Sequence, residues 1–452
     1  MKNNVNMLQG SIYKGLLAMT MPIMLMNVMQ RMFNVIDMTV LGKFADDTAV
    51  GAVGACGSLT GLCTSLFIGI SVGANVVIAK HIGRNDKDSS QKAVGCAILF
   101  SILSGIVLGI IGATFSETFL RWTNCPEKLL SMAVTYFRIY FIGVPIFLFY
   151  TFCAAILRSI GDTKRLMYYS ILGGITKVLL NLFTIIVLDW GVKGVAISTI
   201  ICNGVSGALC FRAIVKSNEF IRFDHRKLRL YPSEIKQMLR IGIPTGLQSA
   251  LYSFANTVIV SAVNSLGPNA TTGLSIANEF DGILYTIIHS PSLAVVPFVA
   301  QNLGAKNAKR IKETIYKSIV ITTCFGASFG ALSAIFSGQL SSIMSSTPEV
   351  IMYSQQKMII VSSTYFICGI NEVLSGSLRG LGKPVIPTIS TFIFMCLLRV
   401  FWVQFIFPLN KTLTLLYLVW PVGWIMCIIV AIVVLIPTLK KIQNDIEEKR
   451  AV

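Results

Sequence analysis

The chain has 452 residues, of which 54% are hydrophobic and only 13% charged, with a mean hydropathy of +0.72. Soluble domains carry about 25% charged residues, so a soluble class is excluded and an all-α polytopic membrane protein is read instead. The net charge of +18 does not call for nucleic acid, because most Lys and Arg sit in short connections between apolar runs, where they set membrane orientation.

Apolar runs of about 20 or more residues predict twelve membrane spans. Their limits are 15–42, 49–79, 93–114, 132–157, 166–188, 194–215, 237–264, 272–301, 314–337, 351–378, 384–408 and 412–439. The polar N-terminus has no cleavable leader pattern, and the first run is long enough to span by itself. Lys and Arg alternate between connections, about 27 on the side of the termini against about 5 on the other, which predicts both termini in the cytoplasm. The longest connection, 216–236, is basic and falls mid-chain. The expected organisation is an N-terminal lobe 1–215, a cytoplasmic linker 216–236, a C-terminal lobe 237–439 and a cytoplasmic tail 440–452.

The two halves repeat each other. IAKHIGRNDKD (78–88) matches VAQNLGAKNAK (299–309), and LRSIGDTK (157–164) matches LRGLGKP (378–384). Both matches share a single offset, which sets Gly83 against Gly304 and Arg158 against Arg379. Pro22 with Pro244, and Asn34 with Asn256, pair at an offset one position longer. Both halves begin on the same side of the membrane, which predicts a parallel repeat of two six-helix bundles. Such bundles commonly enclose a central cavity and work by alternating access.

The first span carries an unexpected load, NVMQRMFNVID (27–37). On a helix Asn27, Gln30, Arg31, Asn34 and Asp37 fall within an arc of about 120°, so one polar stripe faces protein or water, not lipid. Asp37 is its leading group, because a carboxylate held out of water can load and release a proton near neutral pH; a structural carboxylate bonded between helices is the alternative. Lys177, in the middle of the fifth span, is read as an ammonium paired with Asp37 or as a snorkelling lysine. Asn181 lies one turn on, on the same face, and Thr199 of the sixth span could reach the same pocket. Asp281, Glu372 and Arg399 stand inside spans eight, ten and eleven. Glu372 and Arg399 form a buried ion pair in one reading; in the other, one acid binds a cationic substrate or a proton. Arg31 could serve a structural partner or a substrate, Glu279 lies nearer an interface, and Arg138 snorkels from a span end. Seven methionines between Met19 and Met38 pack helices or form an adaptable wall.

Eleven cysteines show no CxxC or metal spacing, and His81, His225 and His289 are scattered, so no metal site is expected. There is no GxxxxGK[ST] loop and no nucleophile–base constellation, so neither ATP hydrolysis nor any other enzymatic activity is expected. An ion gradient remains as the energy source.

Over about residues 10–440 the chain resembles the multidrug and toxic compound extrusion (MATE) transporters, of the Gram-positive bacterial type. The resemblance is carried by GIPTGLQSALYSFANTVIVSAVNSLG (242–267), FVAQNLGAKNAKRI (298–311), GINEVLSGSLRGLGKP (369–384) and GVKGVAISTIICN (191–203). It implies a V-shaped pair of lobes in a bacterial plasma membrane. It also implies export of small, cationic organic substrates against an inward H⁺ or Na⁺ gradient, by a chain expected to be a monomer without cofactors. It further implies an N-terminal cation site in which Asp37, Asn181 and Thr199 match the pattern, with Asn34 beside them. The position of a family asparagine holds Lys177 instead, and an ammonium there would repel Na⁺; protons are therefore favoured. The substrate cavity is expected to draw on Asn27, Gln30, Asn256, Asp281, Glu372 and Arg399. The rival reading is a lipid-linked precursor or polysaccharide flippase of the same superfamily, whose cavity would be lined by several Arg and Lys.

Overall fold

The computed structural model describes residues 5–44, 47–123, 125–217, 220–410 and 412–451. All regular structure among them is helical. In chain order the helices are α1 (Ile12–Phe44), α2 (Asp47–Gly83), α3 (Lys87–Thr114), α4 (Ser116–Trp122), α5 (Glu127–Ile142), α6 (Val144–Ser159), α7 (Thr163–Leu182) and α8 (Gly191–Val215). There follow α9 (Pro232–Asn264), α10 (Pro268–Gly304), α11 (Ala308–Ile335), α12 (Ser337–Met344), α13 (Pro348–Lys357) and α14 (Tyr365–Gly380). The last are α15 (Val385–Thr391), α16 (Leu398–Phe401), α17 (Leu413–Tyr417) and α18 (Val419–Ala451).

Among the described residues nine helical segments are long and apolar enough to cross a membrane, and two bent pairs raise the number to 11. The remaining predicted span, the seventh (237–264), lies in α9. With 33 residues α9 is long enough, but Arg240, Thr245, Gln248, Ser249, Asn256 and Thr257 lower its apolarity. The fourth predicted span is broken between α5 and α6, bent by 48°. Pro145 in the first turn of α6 is tolerated there because the first N–H groups of a helix have no partner inside it. The tenth is bent by 49° between α13, with its π-helical turn Met358–Ser362, and α14. The eleventh is α15 and α16 interleaved with π-helical turns Phe392–Leu397 and Trp402–Ile406. The predicted tail is no separate element, since α18 runs on through it.

The repeat is structural. α2 and α10, α3 and α11, and α6 and α14 each begin and end at the same offset that relates the two sequence motifs. The turns between them repeat too. Asn85 and Lys306 share a left-handed φ, 59° and 54°, and the next residues, Asp86 and Asn307, cap α3 and α11 by accepting from the backbone N–H of Ser89 and Arg310. Gly161 and Gly382 take φ of 77° and 76°, where only glycine is unstrained. The two motif pairs are therefore turn and cap chemistry.

The chain divides into two compact units, but not at the expected boundaries. Residues 25–243 belong to one unit; residues 7–24 and those from 244 on belong to the other. α1 changes unit just after Pro22, and α9 at Pro244. The segment expected as a linker is docked on the first unit. Lys227 bonds Gln91 at 2.8 Å and Asp88 at 2.7 Å, and His81 Nε2 lies 3.1 Å from Glu234 Oε2. In the second unit Arg310 donates to the carbonyls of Met7, Gln9 and Gly10, and Asn302 to that of Met7. Each unit buries its own apolar core, and large residues such as Ile110, Val107 and Phe405 stay exposed, as lipid-facing positions require.

Candidate functional site

In the first unit the polar stripe of α1 faces α7. Gln30 donates to Ser170 at 2.8 Å. Lys177 donates to Asn34 Oδ1 at 3.3 Å and forms an ion pair with Asp37 Oδ2. Asn181 donates to Asp37 Oδ1 at 2.5 Å. The helices approach closely because Gly174 has no side chain and the Phe33 ring fills its place; a Cβ there would stand 1.9 Å from the ring. Asp37 and Asn181 are buried, Lys177 is partly covered and Asn34 is exposed. Asn181 Oδ1 is buried without a hydrogen-bond partner. A π-helical turn, Phe183–Val187, follows at once, a distortion often found at functional positions.

This cluster unites Asp37, Lys177, Asn181 and Asn34. Thr199 makes no hydrogen bond to it; its hydroxyl donates to Val195 O in its own helix at 2.8 Å. Asn27 is half-buried on the same stripe, two turns before Asn34. Arg138 is exposed and donates to Ser116 at 2.9 Å, as a snorkelling side chain does.

In the second unit the charges pair in a way that sequence reading missed. Glu372 and Arg399 do not form the ion pair held open for them. Glu372 Oε2 lies 3.1 Å from His289 Nδ1 and 3.9 Å from Arg379 Nη2, and Tyr285 donates to its Oε1 at 3.4 Å. Tyr285 and His289 stand one turn apart on α10 with stacked rings, so both reach the acid on α14. Asp281 pairs with Lys357 at 2.6 Å, and Lys357 also bonds Asn278. Arg399 donates to Asn256 Oδ1 at 2.6 Å and lies over the Trp420 ring, 4.8 Å from its centroid.

Lys357, His289, Arg379 and Tyr285 are thus additions to the expected site. Lys357 already fell within the predicted tenth span, where its charge was a signal. A second signal was arithmetic: Lys177 and Arg399 are related by the same offset as Asn34 and Asn256. The two cation–asparagine bonds are therefore one feature repeated.

Sodium needs several free oxygen ligands. In the first unit the Lys177 ammonium already engages the oxygens of Asp37 and Asn34. Among the described residues no group of three or more His, Cys, Asp or Glu could hold a metal ion.

The sequence model of the MatE family matches residues 22–183 and 244–403, one match in each repeat. The probable multidrug resistance protein YoeA of Bacillus subtilis is 26% identical over 84% of this chain and 83% of its own length. The probable multidrug resistance protein YpnP of the same organism is 26% identical over 86% of this chain and 87% of its own. Among solved structures, an outward-facing multidrug resistance MATE family transporter of the MOP superfamily superposes with a TM-score of 0.90. It is 20% identical, and the match covers 98% of this chain and 99% of that one. The likeness shows the fold.

Proposed function

The chain belongs to the MatE family of membrane transporters, and from that premise we propose that it exports small, cationic organic molecules in exchange for protons, by alternating access. The observation that carries the proton reading is the Lys177 ammonium seated on Asp37. It holds the position a coupling Na⁺ would need, whereas a proton needs only the carboxylate. Protonation of Asp37 would dissolve the ion pair and leave Lys177 on Asn34 alone, giving the first unit two states that differ in one bond. A cationic cargo would compete with Lys177 for the same carboxylate. The names of the relatives support multidrug export. The bacterial relatives support a bacterial plasma membrane location, the excess of Lys and Arg in alternate connections supports both termini in the cytoplasm, and a monomer suffices for the scheme.

The test is ethidium movement in proteoliposomes holding the purified protein, under a pH gradient or a Na⁺ gradient applied separately. Movement driven by the pH gradient alone, and lost in Asp37→Asn, is the expected result. Movement under the Na⁺ gradient alone overturns the coupling assignment. Movement under neither turns the reading to the flippase, with a labelled lipid-linked precursor as the next substrate.

A further inference from the structure

We propose that the second unit carries a subsite for an anionic group of the cargo, a carboxylate or a phosphate, at Arg399. Arg399 is 1% exposed, on the four-residue α16 between two π-helical turns. Its Nη1 donates to Asn256 Oδ1 at 2.6 Å, and its Nε is buried without a hydrogen-bond partner. Among the described residues no carboxylate stands within ion-pair distance of it. Asp281 is engaged by Lys357, and Glu372 by His289 and Arg379. Trp420 supports one face of the guanidinium, at 4.8 Å, but takes none of its in-plane N–H groups. A guanidinium offers five N–H donors in a flat fork that matches a planar oxyanion. A buried fork with one bond made, at membrane depth, is an incomplete site.

The other repeat shows what completes it. Lys177, in the same register as Arg399, bonds Asn34 as Arg399 bonds Asn256, and is then met by the carboxylate of Asp37. The repeat position of Asp37 is Ile259, buried at 1%. At this position the second unit therefore has the cation and the asparagine but no acid. The cargo supplies the acid. Asn256 is exposed, and with its carbonyl turned to Arg399 its amide N–H₂ is left as a second donor to the same oxyanion.

The proposal rests on the preceding reading in taking the cargo to be a small organic molecule, one that carries this anionic group as well as its cationic one, and the test does not depend on transport. Binding to the purified full-length protein in detergent is followed by the fluorescence of three coumarins. These are coumarin-3-carboxylate, 4-methylumbelliferyl phosphate and uncharged 7-methoxy-4-methylcoumarin. The expected result is that at least one anionic probe binds about tenfold or more tightly than the neutral one. Arg399→Gln loses that preference, and Arg399→Lys, which keeps the charge but not the fork, retains part of it. Ile259→Asp installs the missing carboxylate within the chain and also loses the preference. Which anionic probe binds separates a carboxylate from a phosphate cargo. Equal binding of all three probes, or an unchanged preference in folded Ile259→Asp and Arg399→Gln proteins, overturns the proposal. Failure of ethidium export would count against the efflux reading and leave this measurement standing.

Discussion

Lys177 and Arg399 occupy one register of the two repeats, and each donates to an asparagine of the facing helix, Asn34 at 3.3 Å and Asn256 at 2.6 Å. The cations differ in what else they meet, a carboxylate in the first unit and an aromatic face in the second. The first unit is thus neutral at this level. Replacing Lys177 by Asn removes the ammonium and returns the oxygens of Asp37, Asn34 and Asn181 to other cations. Lys177→Asn is expected to make ethidium movement respond to a Na⁺ gradient. Unchanged ion dependence in that variant would sink the argument that Lys177 excludes Na⁺.

The ion pair also has a stability signature. Removing one partner of a buried pair leaves the other charge uncompensated, at about 3–5 kcal/mol. Asp37→Asn and Lys177→Met are each expected to destabilise the protein in that range. The double variant should be less destabilised than the sum by about 1–3 kcal/mol, because neither charge is left alone. Denaturation of the four proteins in detergent measures the coupling. Simple additivity would mean that the pair contributes no more than two independent contacts.

How much of this was legible in the sequence depends on what each step needed. The stripe on α1 needed only helical periodicity, and Asp37 pairing with Lys177 needed only two opposite charges at membrane depth. Asn181 followed from its place one turn beyond Lys177. Glu372 was different. Its partners His289 and Arg379 lie on another helix and two turns along its own, and sequence shows which charges are in the membrane but not how separate helices are rotated toward each other. Thr199 makes no hydrogen bond to the cluster for a local reason, because a helical threonine can donate its hydroxyl proton to the carbonyl four residues back. The unit boundaries were illegible as well: α1 is continuous and apolar on both sides of Pro22, so nothing in its pattern assigns residues 7–24 to the other unit.

The repeated turns allow a prediction in which one repeat serves as the control for the other. Lys306 holds a φ of 54° that Asn85 holds at 59° in the first repeat. Asparagine tolerates this region and lysine does so poorly. Lys306→Asn is expected to stabilise by about 0.5 kcal/mol, while Gly161→Ala and Gly382→Ala should each destabilise by about 1–2 kcal/mol, since Ala is strained at their φ of 77° and 76°. Melting temperatures of the purified variants check the three signs. A melting point raised by either Gly→Ala change would show that the left-handed turn is not retained.

The caps at the same turns differ in one property, since Asp86 titrates and Asn307 does not. Asp86 accepts from Ser89 N at 3.0 Å and Asn307 from Arg310 N at 3.1 Å, so each Ala substitution should cost about 1 kcal/mol at neutral pH. The bond from the Ser89 backbone N–H holds the Asp86 carboxyl below the ordinary carboxylate range. A group whose folded-state pKa is depressed contributes stability above its unfolded pKa and loses it as pH falls through the folded one. The penalty of Asp86→Ala should therefore be full at pH 7 and shrink at pH values below the ordinary carboxylate range. That of Asn307→Ala should hold at both. Amide hydrogen exchange in the first turns of α3 and α11, corrected for intrinsic rates, reads the two caps in one experiment. About fivefold lower protection is expected for each variant at neutral pH, with the difference at α3 alone fading in acid. A penalty at α3 that persists in acid would mean that the Asp86 cap works through its geometry and not through its charge.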